Sequence, residues 1–141
     1  MITETTQKFE INIHDQGYKI KAWGSTRVGL FIAVLKGILS ATGSQFILEA
    51  ENVERGFEIK SDGAESLLVD FVNKVLTNEN TNNEAYDDVK FTLITDKVAN
   101  GRMIGRPVRA KEESLKSALK QDLVIKKNDE GLWEAEIILE K

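Results

Sequence analysis

The stretch from Thr26 to about Ala41 constrains this chain more than any other. Its apolar residues fall on two helical stripes, Val28, Leu35 and Leu39 on one and Leu30, Val34 and Ile38 on the other, with few polar groups between them. A helix that is apolar on most sides must be buried on most sides, so the remaining elements have to surround it. Ser25 reads as its N-cap, a hydroxyl able to accept from a free first-turn N–H, and Gly43 as its stop. Gly29 and Gly37 weaken such a helix by up to ~1 kcal/mol each relative to alanine. Their missing side chains would let it lie close on a sheet.

The surrounding material is mostly extended. Phe9, Ile11 and Ile13 alternate with polar residues, as do Tyr18, Ile20 and Ala22 after the turn at Asp15-Gln16-Gly17, which predicts a β-hairpin. Residues 1–7 are polar and read as a frayed end. Phe46, Leu48 and Ala50, then Phe57 and Ile59, predict two short strands. A second helix starts with the capping-box-like pair Asp62 and Glu65 and carries the stripe Leu67, Leu68, Phe71, Val72, Val75 and Leu76. Thr77 to Glu84 offers no core-forming residue and reads as a polar loop.

Val89, Phe91 and Leu93 predict another strand, and Met103-Ile104 a short one. Residues 111–121 fit two templates: Leu115, Ala118 and Leu119 have helical spacing, while Leu115, Leu119, Leu123 and Ile125 share one face of a strand. Asn128-Asp129-Glu130-Gly131 is a hairpin turn. Trp133, Ala135, Ile137 and Leu139 alternate in the last strand. Neither repeats nor a linker interrupt residues 1–141, so the expectation is a single α+β domain, a two-layer sandwich with two main helices on one face of a mixed β-sheet.

At 141 residues the chain can bury a real core, and a composition 41% hydrophobic and 30% charged argues against disorder. The absence of cysteine excludes disulfides, thiolate metal sites and thiol nucleophiles. No apolar run approaches the ~20 residues of a membrane span, and the N-terminus lacks the basic and apolar segments of a signal peptide. A cytoplasmic protein without a membrane partner is therefore expected. No Gly-rich phosphate loop precedes a helix, and the single histidine rules out a zinc-binding pair.

Four segments, in order and spacing, resemble the archease family over nearly the whole chain. Lys19-Ile20-Lys21-Ala22-Trp23-Gly24 resembles the strand leading into the family's first helix, and Leu67 to Leu76 resembles its second helix. Gly105-Arg106-Pro107 falls where the family has Gly-Glu-Pro. Leu132 to Leu139 resembles the closing strand, normally followed by an aspartate. The departures are equally specific. Where archeases show Asp-His-Thr-Ala-Asp, this chain has Ile13-His14-Asp15-Gln16-Gly17, keeping the histidine and losing both aspartates. Glu140 stands for the C-terminal aspartate, and Leu119-Lys120-Gln121 for Thr-Tyr-His.

The resemblance implies a non-enzymatic, chaperone-like accessory protein. Archeases assist the GTP-dependent RNA ligase of tRNA splicing and RNA repair, promoting its guanylylation and turnover with a metal-binding acidic site. In this chain the implied site consists of Asp15, Glu140 and His14, with a divalent cation (Mg²⁺, Mn²⁺ or Ca²⁺) as its ligand. The alternative is a non-catalytic protein-binding module of the same fold that has lost the metal site. The charge is uneven: residues 97–127 hold nine basic and three acidic side chains in a chain of net charge −4. Arg102, Arg106, Arg109 and Lys111 are the expected partner-binding cluster. Without aromatic residues there for base stacking, an RNA ligase or other protein partner is expected in preference to direct nucleic-acid contact.

Overall fold

A computed structural model describes residues 7–15 and 17–141. The expected frayed segment lies outside the described residues except for Gln7, which already pairs with Gly24. Gln16 of the expected turn also lies outside them.

The N-terminal hairpin forms as the alternation predicts. Strand β1 (Gln7–His14) pairs antiparallel with β2 (Gly17–Gly24), setting Ile11 opposite Ile20 on the inner face. Helix α1 (Arg27–Thr42) follows, and only Lys36 and Ser40 of it are exposed. Its N-cap is Thr26, not Ser25: the Thr26 hydroxyl accepts from the Gly29 N–H at 2.9 Å. The two residues are chemically interchangeable as caps, so the helix start is decided by backbone path. Gly43 closes the helix in the left-handed conformation (φ 61°) as expected. Gly37 lets α1 lie on the sheet, since a Cβ there would stand 2.7 Å from Ile20 Cγ2.

The predicted strand over 46–50 is cut to β3 (Gln45–Phe46); the chain then turns, with the Ala50 N–H donating to the Ile47 carbonyl, and Leu48 faces solvent. β4 (Val53–Lys60) leads to α2 (Ala64–Asn82). The cap of α2 is Gly63 and not Asp62, and Glu65 accepts from the Ile125 N–H at 3.1 Å instead of completing a capping box. The helix does not stop near Leu76. It runs on through the polar stretch because its last turns bury Glu79, and Asn80 donates to the Leu115 carbonyl at 2.9 Å.

Two long strands follow, β5 (Glu84–Ile94) and β6 (Val98–Ala110), then the short β7 (Ser117–Leu119) and β8 (Lys126–Lys127), and finally β9 (Trp133–Glu140). β6 exceeds the predicted Met103-Ile104 pair because Gly101, Arg102 and Gly105 carry no apolar signal although they sit in the ladder. Residues 111–121 resolve as extended chain: Ser117 and Ala118 pair with Glu140 and Leu139, while Leu115 and Ala118 are buried.

The fold is α+β with two main helices packed against β-structure, as expected; the described strands pair antiparallel and divide between two sheets where one was expected. One runs β1-β2-β9-β7, with β8 also on β9; in the other β6 pairs with β4, β5 and β3. Phe31 of α1, Phe57 of β4, Phe71 of α2 and Phe91 of β5 join helices and second sheet in an aromatic cluster with ring centroids 5.3–5.9 Å apart. Edge and tilted contacts of this kind add to the burial of the rings themselves.

Candidate functional site

The register of the first sheet gathers the sequence-predicted metal residues at one end. Gly17 opens β2 opposite Glu140, the last residue of β9, so the hairpin turn and the end of the closing strand stand side by side. His14 and Asp15 precede the turn. Asp15 takes a left-handed backbone (φ 49°), which aspartate tolerates better than most residues. Its side chain is 89% exposed, and its Oδ2 lies 3.6 Å from His14 Nε2. Together with Leu119 and Gln121 these residues line an open cleft of about 300 Å³.

Two carboxylates supply hard oxygen donors and the imidazole a borderline nitrogen. Divalent Mg²⁺ and Ca²⁺ require about six to eight oxygens. Among the described residues no three His, Asp or Glu side chains converge as an ion cage. The residues present fit only an ion that keeps most of its water. Gly17, standing where the family carries its second aspartate, has no room for any side chain, because even a Cβ would collide with the Leu139 carbonyl oxygen. Ile13, at the other aspartate position, is 84% exposed, an apolar side chain projecting beside the turn.

The basic residues are strung out along β6 and beyond it. Arg102 pairs with Glu54 at 3.3 Å, Arg106 donates to Asn52 Oδ1 at 2.9 Å, Arg109 to Gln45 Oε1 at 2.9 Å, and Lys111 to Asn80 Oδ1 at 3.0 Å. Nine residues of extended chain separate the first from the last, roughly 30 Å. They form a stripe, with one of the four charges already matched by a carboxylate.

Sequence reasoning missed a polar cluster at the junction of α2 and the second sheet. Glu84 is buried and takes two hydrogen bonds from Arg55 and one from the Tyr86 hydroxyl at 2.8 Å. The Arg55 hydrogen bonds hold the Glu84 carboxyl below its ordinary range, and burial pushes the Tyr86 hydroxyl up. Glu79, 4% exposed, is pushed up to about 8 by burial, and its Oε2 has no partner among the described residues. The only signal in the sequence was a glutamate at helical spacing from Val75 and Leu76.

Comparison with known proteins gives a consistent picture. The model of the archease protein family matches residues 9–140. An archease described as a possible chaperone, from Thermotoga maritima, superposes with a TM-score of 0.69 at 14% identity, covering 100% of this chain and 98% of that one. Protein 1598 of Methanobacterium thermoautotrophicum superposes with a TM-score of 0.60 at 21% identity, covering 94% and 98%. No curated protein matches in sequence.

Proposed function

The chain belongs to the archease family, and on that premise we propose that it is an accessory protein that promotes GTP-dependent RNA ligation, in tRNA splicing or RNA repair, by activating the RNA ligase. The supporting observation is the register that sets Gly17 opposite Glu140. It brings the hairpin turn and the chain's last strand to one exposed end, where a large partner can reach Asp15 and Glu140 together. The protein acts through the ligase and performs no chemistry of its own. Asp15, Glu140 and His14 would hold a hydrated divalent cation, which supplies positive charge at the docked surface. The stripe of Arg102, Arg106, Arg109 and Lys111 would meet an acidic patch on the partner, setting orientation and association rate.

The test is guanylylation and turnover of the ligase from the same organism, with and without this protein. Stimulation that is lost in Asp15→Ala and Glu140→Ala is expected, and equal turnover in both conditions would refute the reading.

The exposure of Ile13 favours a second reading, a protein-binding module that engages its partner through an apolar tip and needs no metal. Calorimetric titration with Mg²⁺, Mn²⁺ and Ca²⁺ separates the two. Binding tighter than about 1 mM that is lost in both variants supports the metal-dependent activator; heat-silent titrations support the module.

A further inference from the structure

At the far end of the strands from the hairpin tip, both helices begin around a common cavity of about 350 Å³. That volume lies within the range of small-molecule sites, about 300–1,000 Å³. Its apolar lining comes from four separate segments of the chain: Phe31 of α1, Leu67 of α2, Ile125 just before β8, and Trp133 of β9. Phe31 and Leu67 are buried and back the cavity, while the half-buried Ile125 and Trp133 present the apolar surface a ligand can reach.

The rim is polar and carries excess positive charge. Arg27 lies over the Trp133 ring with its guanidinium 5.5 Å from the ring centroid, and reaches Asp96 at 2.6 Å. Asp96 is 66% exposed, so its pair with Arg27 is open to competition from a solute anion. Lys97 adds a second cation. An anionic group entering beside Arg27 therefore meets two cations and one displaceable carboxylate.

Gly63 and Ala64, which open α2, line the same cavity. Nothing in the fold demands glycine at position 63. Its backbone is extended (φ −175°), which any residue adopts, and a Cβ there would meet nothing within 4 Å. A residue with a capping side chain would place that side chain over the start of α2, which glycine leaves uncovered.

We propose that this cavity binds a small organic anion, a flat apolar body seated against Trp133 and Ile125 with a phosphate or carboxylate group held at Arg27 and Lys97. The site is separated from the hairpin tip by the length of β9, about 25 Å for eight residues, and does not depend on the ligase reading.

The experiment is an NMR titration of the whole protein with phenyl phosphate, benzoate and phenol, following amide and indole N–H signals. Saturable shifts of the Trp133 indole and the Gly63 and Ala64 amides are expected with either anion, with phenol at least about tenfold weaker and the Trp23 indole unmoved. Phosphate and carboxylate sources are told apart by which anion binds more tightly. Gly63→Asp supplies a favoured N-cap and an opposing charge, so it should raise the melting temperature while weakening anion binding about tenfold. Arg27→Gln should weaken it similarly. The proposal is overturned by the absence of a saturable shift at about 10 mM anion, by phenol binding as tightly as the anions, or by unchanged affinity in both variants.

Discussion

Arg55 and Glu84 lie 29 residues apart in the chain and meet in a two-pronged ion pair, Nε to Oε1 at 2.9 Å and Nη2 to Oε2 at 2.6 Å. The parallel bonds match the fork of a guanidinium to the two oxygens of a carboxylate. They tie β4 to the first residue of β5 across β6, directly beyond the C-terminus of α2. Glu84 is buried, so removing its partner leaves a charge without compensation, the expensive way to break such a pair.

Arg55→Gln should therefore lower stability at neutral pH, and the deficit should shrink in acid. The sign follows from the lowered Glu84 carboxyl: its contribution is present above the ordinary value of 4.5 and is lost as pH falls through the value in the fold. Urea unfolding of both proteins at pH 7 and near pH 3 measures it. A deficit that persists unchanged in acid would show that packing, not charge, is what the substitution disturbs.

Glu79 behaves in the opposite sense. Raised from 4.5 to about 8 by burial, it binds its proton more tightly in the folded chain than in the unfolded one. Stability should fall as pH rises between those two values, by up to ~1.4 kcal/mol per unit. Lys111 and the hydrogen bond from the Tyr86 backbone moderate the effect without reversing it. Glu79→Gln should flatten the profile and unfold at higher denaturant than the parent at pH 8. Parallel profiles for the two proteins would place the titrating group elsewhere.

Gly17 cannot be changed without disturbing β9. A Cβ at this position runs into the Leu139 backbone, so Gly17→Ala should cost ~2 kcal/mol or more and should loosen the β2–β9 pairing seen by hydrogen exchange. Gly17→Asp, which restores the family's residue type, should destabilise further and should not raise cation affinity in calorimetry.

Ile13 offers a cleaner probe of partner contact. At 84% exposure it contributes almost nothing to the core, so Ile13→Ser should leave unfolding within about 0.5 kcal/mol of the parent. Reduced stimulation of the ligase by this variant is the expected result. Equal stimulation would remove the apolar tip from the docking surface.

The elements legible in the sequence were those whose residues alternate or stripe without interruption. Trp133 to Leu139 shows the period of a strand buried on one face, and Leu67 to Leu76 the stripe of a helix, and both form. Thr77 to Glu84 was illegible because the helix there is held by polar contacts: Asn78 donates to the Met103 sulfur at 3.7 Å and Asn80 to a backbone carbonyl, while the buried residue is a glutamate. The cap lies one position beyond the expected residue at each helix: Ser25 and Thr26 cap equally well and only backbone path separates them, whereas Gly63 has no side chain to mark it as a cap. The grouping of His14, Asp15 and Glu140 came from resemblance, and the strand register accounts for it. The Arg55, Glu79 and Glu84 cluster depends on pairings between segments far apart in sequence, for which no local pattern exists.

The order in which the chain is made gives β9 a further importance. It sits between β2 and β7, so the sheet that covers one side of α1 is completed only after all its other strands have been synthesised. Until then the N-terminal hairpin has an open edge where β9 will insert, and unpaired edges are where nascent chains associate wrongly. The second sheet, whose four strands all lie within residues 45–110, has no such delay. Maturation in the cell should thus begin with the second sheet, with β2 and β9 meeting last.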